Sequence, residues 1–310
     1  MQKDKTPLIS VVISAYNKGN FIASTIESVL RQTAGDFEII VIDDGSVDNT
    51  REQTLKIKDG RIKYFYQEPS GLPACARNRG IERARGRYIA LLDGDDRWIP
   101  EKLEKVLSVF SENPGTDVVC HDLMVTGENA KVIRRTHYGP YPEDLYGKLL
   151  WEGNCLGITM AVLKKEIFCT HNFWFDEDER LFCVEDYDFW LRLAETGKFS
   201  FFYLPEALAE HPVSEEGIVL SNVKKNTINS LHLFDKNIKR RGYDTDFARR
   251  NLIRKRRASM MRSGGLSYNY RREYRKSLIW FAKSIREYPF SKNSYAGFLL
   301  SLFRVRLGKV

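Results

Sequence analysis

The hydrophobic pattern alternates between short unbroken apolar runs and longer stretches with apolar residues every three or four positions. Leu8–Ser14 is a β-branched run, and Phe37–Ile42, Ile62–Tyr66, Tyr88–Leu92 and Asp117–Cys120 follow it. The unbroken Tyr88–Leu92 run predicts a strand buried on both faces, Leu8–Ser14 a buried strand, and the others further, shorter strands. Between them Phe21–Gln32 sets Phe21, Ile22, Ile26, Val29 and Leu30 at helical spacing. Asp48, Asn49 and Thr50 offer N-cap chemistry for a second helix, Ala74–Ala84 reads as a third, and Pro100 opens another to about Ser111. Alternation of this kind predicts an α/β fold with a mostly parallel, doubly wound sheet.

Beyond Gly127 the pattern loosens, with Gly, Pro and Tyr scattered through 137–147, as in a long loop over a site. Order returns at Gly157–Phe168 and Val184–Ala194. From Asn222 the chain reads as helices: Ile228, Leu231, Phe234 and Ile238 form one stripe, and Tyr270, Tyr274, Leu278, Phe281 and Ile285 another. Tyr295–Leu307 is an apolar helix edged by Arg304, Arg306 and Lys309. Two domains are expected, 1–220 and a basic helical extension, 221–310.

Charge sharpens that division. The net +8 of the chain combines a net +18 over residues 221–310, where 23 Lys and Arg face 5 Asp and Glu, with a net −10 over residues 1–220. An acidic front suits handling of a cation, and a basic tail suits an anionic surface. The five cysteines, Cys75, Cys120, Cys155, Cys169 and Cys183, form no Cys-x-x-Cys pair, which fits a reducing compartment and argues against zinc. Met1–Pro7 leads straight into a strand without the pattern of a signal peptide, and no apolar stretch approaches the ~20 residues that span a bilayer. The expected location is cytoplasmic, peripheral on the inner face of the cell membrane if the tail meets lipid.

The candidate chemistry follows the strands. Asp93, Asp95 and Asp96 come directly after the Tyr88–Leu92 run; Ser14, Tyr16 and Asn17 follow the first run, and Asp43 and Asp44 the second, while Arg77 and Asn78 lie on a helix. An open α/β sheet gathers such positions in one crevice beyond its strand ends. Clustered carboxylates repel unless a cation lies among them, and Mg²⁺ or Mn²⁺ takes such oxygens while bridging phosphates. A solvated acidic turn ahead of the Pro100 helix is the competing reading. Neither Gly-x-x-x-x-Gly-Lys-Ser/Thr nor Gly-x-Gly-x-x-Gly nor Gly-x-Ser-x-Gly occurs. A tyrosine to stack on a base, carboxylates to meet base or ribose, an arginine and a metal site together match a nucleoside diphosphate.

Pro7–Thr50 and Ala76–Trp98 resemble glycosyltransferase family 2, inverting enzymes of the nucleotide-sugar-binding fold called GT-A. The matching segments are Val12–Asn17, Val41–Ser46, Ala76–Gly80, the Asp-x-Asp-like Leu92–Asp96, and Glu185–Arg192, which resembles the segment carrying the family's base. The resemblance covers about residues 7–215. It implies a GT-A domain, Rossmann-like with helices on both faces of the sheet, over 1–220. It implies that Ser14, Tyr16, Asn17, Asp43, Asp44, Arg77, Asp93 and Asp95 line the nucleotide-sugar site. Asp95 with Asp93 or Asp96, and His211, would hold Mg²⁺ or Mn²⁺. Asp186 would be the catalytic base, with Glu185 and Trp190 on the acceptor side. The sequence departs from the pattern at Glu215 and Glu216, where small polar residues are usual.

The reaction implied is inverting transfer of a sugar from a metal-bound nucleoside-diphosphate sugar, UDP-linked, to a hydroxyl of a saccharide or lipid-linked saccharide in cell-surface polysaccharide synthesis. Bland readings stand beside several roles: Tyr16 packing on a helix, Arg77 as a solvated charge, an Asp188–Arg192 pair, Trp190 in the core, and a structural His211. The tail resembles the helical extensions of polysaccharide glycosyltransferases, and its aromatic, leucine and arginine residues suit an anionic membrane surface. A non-catalytic nucleotide-sugar-binding protein is one alternative. A basic-tailed nucleic-acid-binding protein is another, though it leaves the strand-end carboxylates without a purpose, so no nucleic acid is expected.

Overall fold

The computed structural model describes residues 6–127, 131–212 and 221–306. Its chain divides into two compact units. The first comprises Met1–Leu149, Asn154–Glu177 and Glu185–Val213, and the second Leu150–Gly153, Asp178–Val184 and Ser214–Val310. The last passage between them falls after Val213, and two short segments of the front half belong with the helical tail.

The first unit is built on a nine-stranded sheet. Its strands are β1 Ile9–Ala15, β2 Phe37–Asp44, β3 Ile62–Gln67, β4 Tyr88–Asp93, β5 Arg97–Trp98, β6 Val118–Thr126, β7 Val132–Thr136, β8 Ala161–Lys164 and β9 Phe201–Pro212. The order is β3-β2-β1-β4-β8-β6-β9-β5, with β7 paired to β6. β3, β2, β1 and β4 run parallel, and β6 pairs parallel with β9. β8 lies antiparallel between β4 and β6, and β5 and β7 also oppose their partners. The sheet is thus mixed, its parallel half being the part that the continuous apolar runs predicted.

Alternation along β1 assigns the two faces. Ile9, Val11 and Ile13 share a buried cluster with Ile22, Ile26 and Val29 of α1 (Ile22–Leu30) and with Leu103, Val106 and Phe110 of α4 (Lys102–Glu112). Val12 faces the opposite way, toward α3 (Pro73–Arg83), where a Cβ on Gly80 would come within 2.3 Å of Val12 Cγ1. Only glycine permits that approach of helix to sheet, and it fixes how deeply Arg77, one turn earlier, enters the crevice. Between β2 and β3 runs α2 (Thr50–Lys56). The later helices are α5 (Leu145–Glu152), α6 (Glu166–Cys169) and α7 (Glu185–Glu195).

Among the described residues of the second unit four α-helices follow: α8 Val223–Arg240, α9 Arg250–Tyr270, α10 Tyr274–Glu287 and α11 Lys292–Leu302. Small polar residues carry the α9–α10–α11 packing. Ser277 donates to the Gly265 carbonyl at 2.7 Å and meets Ser301 at 2.9 Å, and Ser284 donates to the Ala258 carbonyl at 2.6 Å. These hydroxyls are satisfied while fully buried, which lets the helices approach closely without an unpaired donor. The α8 side chain of Asn229 donates to the Phe182 carbonyl at 2.9 Å, and Arg256 of α9 donates to the Glu152 carbonyl at 2.9 Å. No helix among the described residues is long and apolar enough to cross a membrane.

Candidate active site

Parallel pairing of β1 with β4 sets Ser14 beside Asp93 at the carboxyl ends of both strands, and the Ser14 hydroxyl donates to Asp93 Oδ1 at 3.3 Å. The same oxygen accepts from Arg77 Nη2 at 3.0 Å, and Arg77 Nη1 reaches Glu185 Oε1 at 2.7 Å. Arg77 is therefore no solvated helix charge: it is buried and bridges the strand-end carboxylate to the start of α7. Burial opposes its charge, but Asp93 and Glu185 outweigh that and hold the guanidinium protonated. Arg77 Nε and Glu185 Oε2 remain buried without hydrogen-bond partners. Neighbouring Asn78 has another job, clamping the Phe175 backbone through bonds of 2.9 and 3.0 Å.

Asp95 pairs with Lys18, which reaches across from the loop after β1. Asp96 is buried, and both its oxygens are engaged, Oδ2 by the Thr159 hydroxyl and Oδ1 by His211 Nδ1 at 2.6 Å. Burial pushes the Asp96 carboxyl up, and the bond to Asp96 raises His211 in turn. Thr159 is the hub beneath the carboxylates, its carbonyl accepting from Lys102 Nζ at 2.6 Å and Trp98 Nε1 at 3.2 Å.

Among the described residues no three His, Cys, Asp or Glu side chains converge as a metal cage. Octahedral Mg²⁺ does not need one, since it keeps waters and takes one or two carboxylates plus substrate phosphates. Asp93 and Asp95 fit that demand, for each uses one oxygen and leaves the other without a hydrogen bond among the described residues. Asp96 does not fit. Both its oxygens are engaged, and it supports His211.

The expected base and ribose carboxylates are committed to the fold. Asp43 accepts from the Ser46 backbone at 2.8 Å and the Tyr64 hydroxyl at 2.6 Å, and Asp44 from Gln67 at 2.5 Å and Ser70 at 2.9 and 2.8 Å. They tie the end of β2 to the segments after it. Asn17, held at φ 52°, accepts from the Val47 backbone at 2.9 Å and so ties the first loop to the second. Tyr16 stands 49% exposed beside it, free to present a ring face.

Asp186 opens α7. Its Oδ1 accepts from the Tyr187 backbone at 2.7 Å and its Oδ2 from Asn154 Nδ2 at 3.0 Å. Burial, then the charge of Glu185, pushes its carboxyl up to about 7, only partly offset by Arg77. Asp188 and Arg192 pair at 2.6 Å, as their spacing suggested. Trp190 is 0% exposed and packs against Phe189, so it belongs to the core and not to an acceptor surface. Glu215 and Glu216 lie outside the described residues. Lys18, Thr159 and Asn154 were not singled out from sequence. Lys18 follows Tyr16 and Asn17, Asn154 lies in the stretch without pattern, and Thr159 lies in the ordered Gly157–Phe168 span, which carries no site motif.

The model of glycosyl transferase family 2 matches residues 10–170. The Escherichia coli UDP-Glc:alpha-D-GlcNAc-diphosphoundecaprenol beta-1,3-glucosyltransferase WfgD is 31% identical over 224 residues, 70% of this chain and 82% of its own. Relatives in Rickettsia felis and Rickettsia conorii, both uncharacterized glycosyltransferases, are 40% and 41% identical over 144 residues, and those matches span 23% of their length. Among solved structures, Staphylococcus aureus TarS 1–349 in complex with UDP has TM-score 0.58 at 18% identity, covering 93% of this chain and 91% of that one. The Pyrobaculum calidifontis mannosyltransferase PcManGT, in complex with GDP-Man and Mn²⁺, has TM-score 0.57 at 13% identity, covering 98% and 86%. These likenesses give the fold, the GT-A type with a helical C-terminal region. With more than half its length matched by the family model, the chain belongs to glycosyl transferase family 2.

Proposed function

We propose that the protein is an inverting glycosyltransferase that moves a sugar from a UDP-sugar to a hydroxyl of a lipid-linked saccharide in cell-surface polysaccharide synthesis. The observation that carries the reading is the division of labour among the carboxylates. Asp93 and Asp95 keep open oxygens at the strand ends, while Asp186 stands apart with a carboxyl pushed up to about 7. A general base works best when its pKa lies near the operating pH, and this one does. WfgD, with its UDP-Glc donor and diphosphoundecaprenol-linked acceptor, and TarS, with UDP bound, support the choice of donor and acceptor.

In this mechanism Asp186 Oδ takes the proton of the acceptor hydroxyl as its oxygen forms a bond to the anomeric carbon. The bond from that carbon to the diphosphate breaks on the opposite side, so an α-linked donor gives a β-linked product. Asn154 and the Tyr187 backbone aim the carboxylate, and Arg77 partly offsets the repulsion from Glu185 and Asp93. Mg²⁺ or Mn²⁺, held by Asp93 and Asp95 against the diphosphate, would neutralise the leaving group. The exposed Leu299 and Leu302 of α11 and Phe303 just after it, beside Arg304 and Arg306, support a peripheral place on the inner face of the membrane.

The test is release of nucleoside diphosphate from a panel of nucleotide sugars with Mn²⁺, with and without lipid-linked saccharides. Asp186→Asn should keep donor affinity and lower turnover by ~10²–10⁴-fold. Loss of donor affinity together with turnover would refute the base assignment. Flotation with anionic vesicles at low salt tests the membrane part, and failure to float would remove it.

A further inference from the structure

The helical second unit contains a cavity of about 370 Å³ in which four cations, Lys224, Lys225, Arg271 and Lys276, surround one carboxylate, Glu273. Glu273 is fully used, accepting from Arg271 Nε at 2.7 Å and Lys276 Nζ at 2.5 Å. Lys224 and Lys225 make no ion pair among the described residues; Lys225 only leans on the Phe182 ring, 4.2 Å from its centroid.

The local charge also runs against helix electrostatics. The first turn of α8 holds these two lysines, no acidic residue and no side-chain cap. A helix N-terminus carries partial positive charge and open N–H groups, so cations there are unfavourable unless an anion answers them. A third feature is independent of the helix end. Tyr268 lines the cavity with its ring buried beside Val223 and Trp280, and its hydroxyl, open to solvent, makes no hydrogen bond among the described residues.

We infer that this cavity is a binding site for a phosphate-bearing group, either a free phosphate or diphosphate or the terminal phosphate of a lipid. Phosphate chemistry fits all three features. Its several acceptor oxygens meet lysine and arginine donors, the helix N–H groups and the tyrosine hydroxyl together, and its charge offsets the cation excess. A carboxylate would answer the charge with fewer acceptors. The volume lies within the usual range of small-ligand sites. The inference concerns the tail alone and stands whether or not the assignment of Asp186 holds.

The experiment titrates the full chain in a calorimeter with inorganic pyrophosphate in EDTA, which removes metal-dependent binding at the strand-end carboxylates. Lys224→Gln/Lys225→Gln changes exposed side chains and should weaken binding by roughly ten-fold or more. Lys255→Gln, an exposed α9 lysine outside the cavity, should leave it within about two-fold. A parallel arm measures sedimentation with phosphatidylcholine vesicles carrying phosphatidic acid or phosphatidylglycerol at matched surface charge. Pyrophosphate binding that the double variant loses supports the site with a soluble ligand. Preference for phosphatidic acid, lost in the double variant, supports it with a lipid phosphate. Binding of neither probe, or equal losses in the double variant and Lys255→Gln, overturns it.

Discussion

Removing the amide of Asn154 should change the pH dependence of catalysis in a calculable direction. Asn154 Nδ2 donates to Asp186 Oδ2 at 3.0 Å, a bond that favours the carboxylate over the acid. Hydrogen bonds to charged groups contribute about 1.5–3 kcal/mol, and because Asn154 lies on the exposed side the lower end applies. That is about one pKa unit. The carboxyl already stands at about 7, so Asn154→Ala should carry it upward by that unit. At pH 7 the deprotonated fraction then falls from about half to about a tenth, a roughly five-fold loss of turnover. The loss should vanish by about pH 9, where both forms are ionised. The assay is initial-rate release of nucleoside diphosphate from pH 5.5 to 9.5 at saturating donor. An acidic limb that stays in place while the rate drops equally at every pH would refute the argument and leave Asn154 as a loop support.

Three other outcomes are expected. Asp95→Asn should weaken Mn²⁺-dependent nucleotide binding by roughly ten-fold with the fold intact, and undiminished calorimetric affinity with Mn²⁺ would count against a ligand role. Arg77→Ala leaves Glu185 buried without its cation and should lower urea-unfolding stability by about 3–5 kcal/mol; an unchanged midpoint would contradict the bridge. Asp186→Asn should be more stable than wild type above pH 7. The raised carboxyl keeps its proton in the folded state between the ordinary 3.8 and about 7, where the unfolded chain has lost it, so folding weakens as pH rises through that window. A lower melting temperature for the variant at pH 8 would contradict that sign.

The legible parts of the molecule were those encoded locally. β1, β2 and β4 are buried on both faces, so their apolar runs could be read without knowing their neighbours. β9 could not. It is half-buried, carries Pro205 and Glu206, and slips register against β6 near His121–Leu123, so neither a continuous run nor alternation survives. The insertion of β8 between β4 and β6 depends on pairing across the sheet, which no local spacing announces. The site follows the same rule. Positions after strands were predictable because topology collects them, whereas their supports are long-range: Thr159 meets Asp96 across 63 residues and Asn154 meets Asp186 across 32. Trp190 misled because helical spacing does not tell which aromatic on α7 is enclosed.

The five passages of the chain between the two units, after Leu149, Gly153, Glu177, Val184 and Val213, bear on how such a protein can change over generations. A module joined at one point can be exchanged by a single crossover, leaving its neighbour whole. Here a crossover near residue 214 would pair a foreign tail with the native Leu150–Gly153 and Asp178–Val184. Those segments are fitted to Asn229 and Arg256 through the Phe182 and Glu152 carbonyls. The second of them ends one residue before Glu185, and the first one residue before Asn154. A foreign tail would therefore have to reproduce the partners of those two carbonyls.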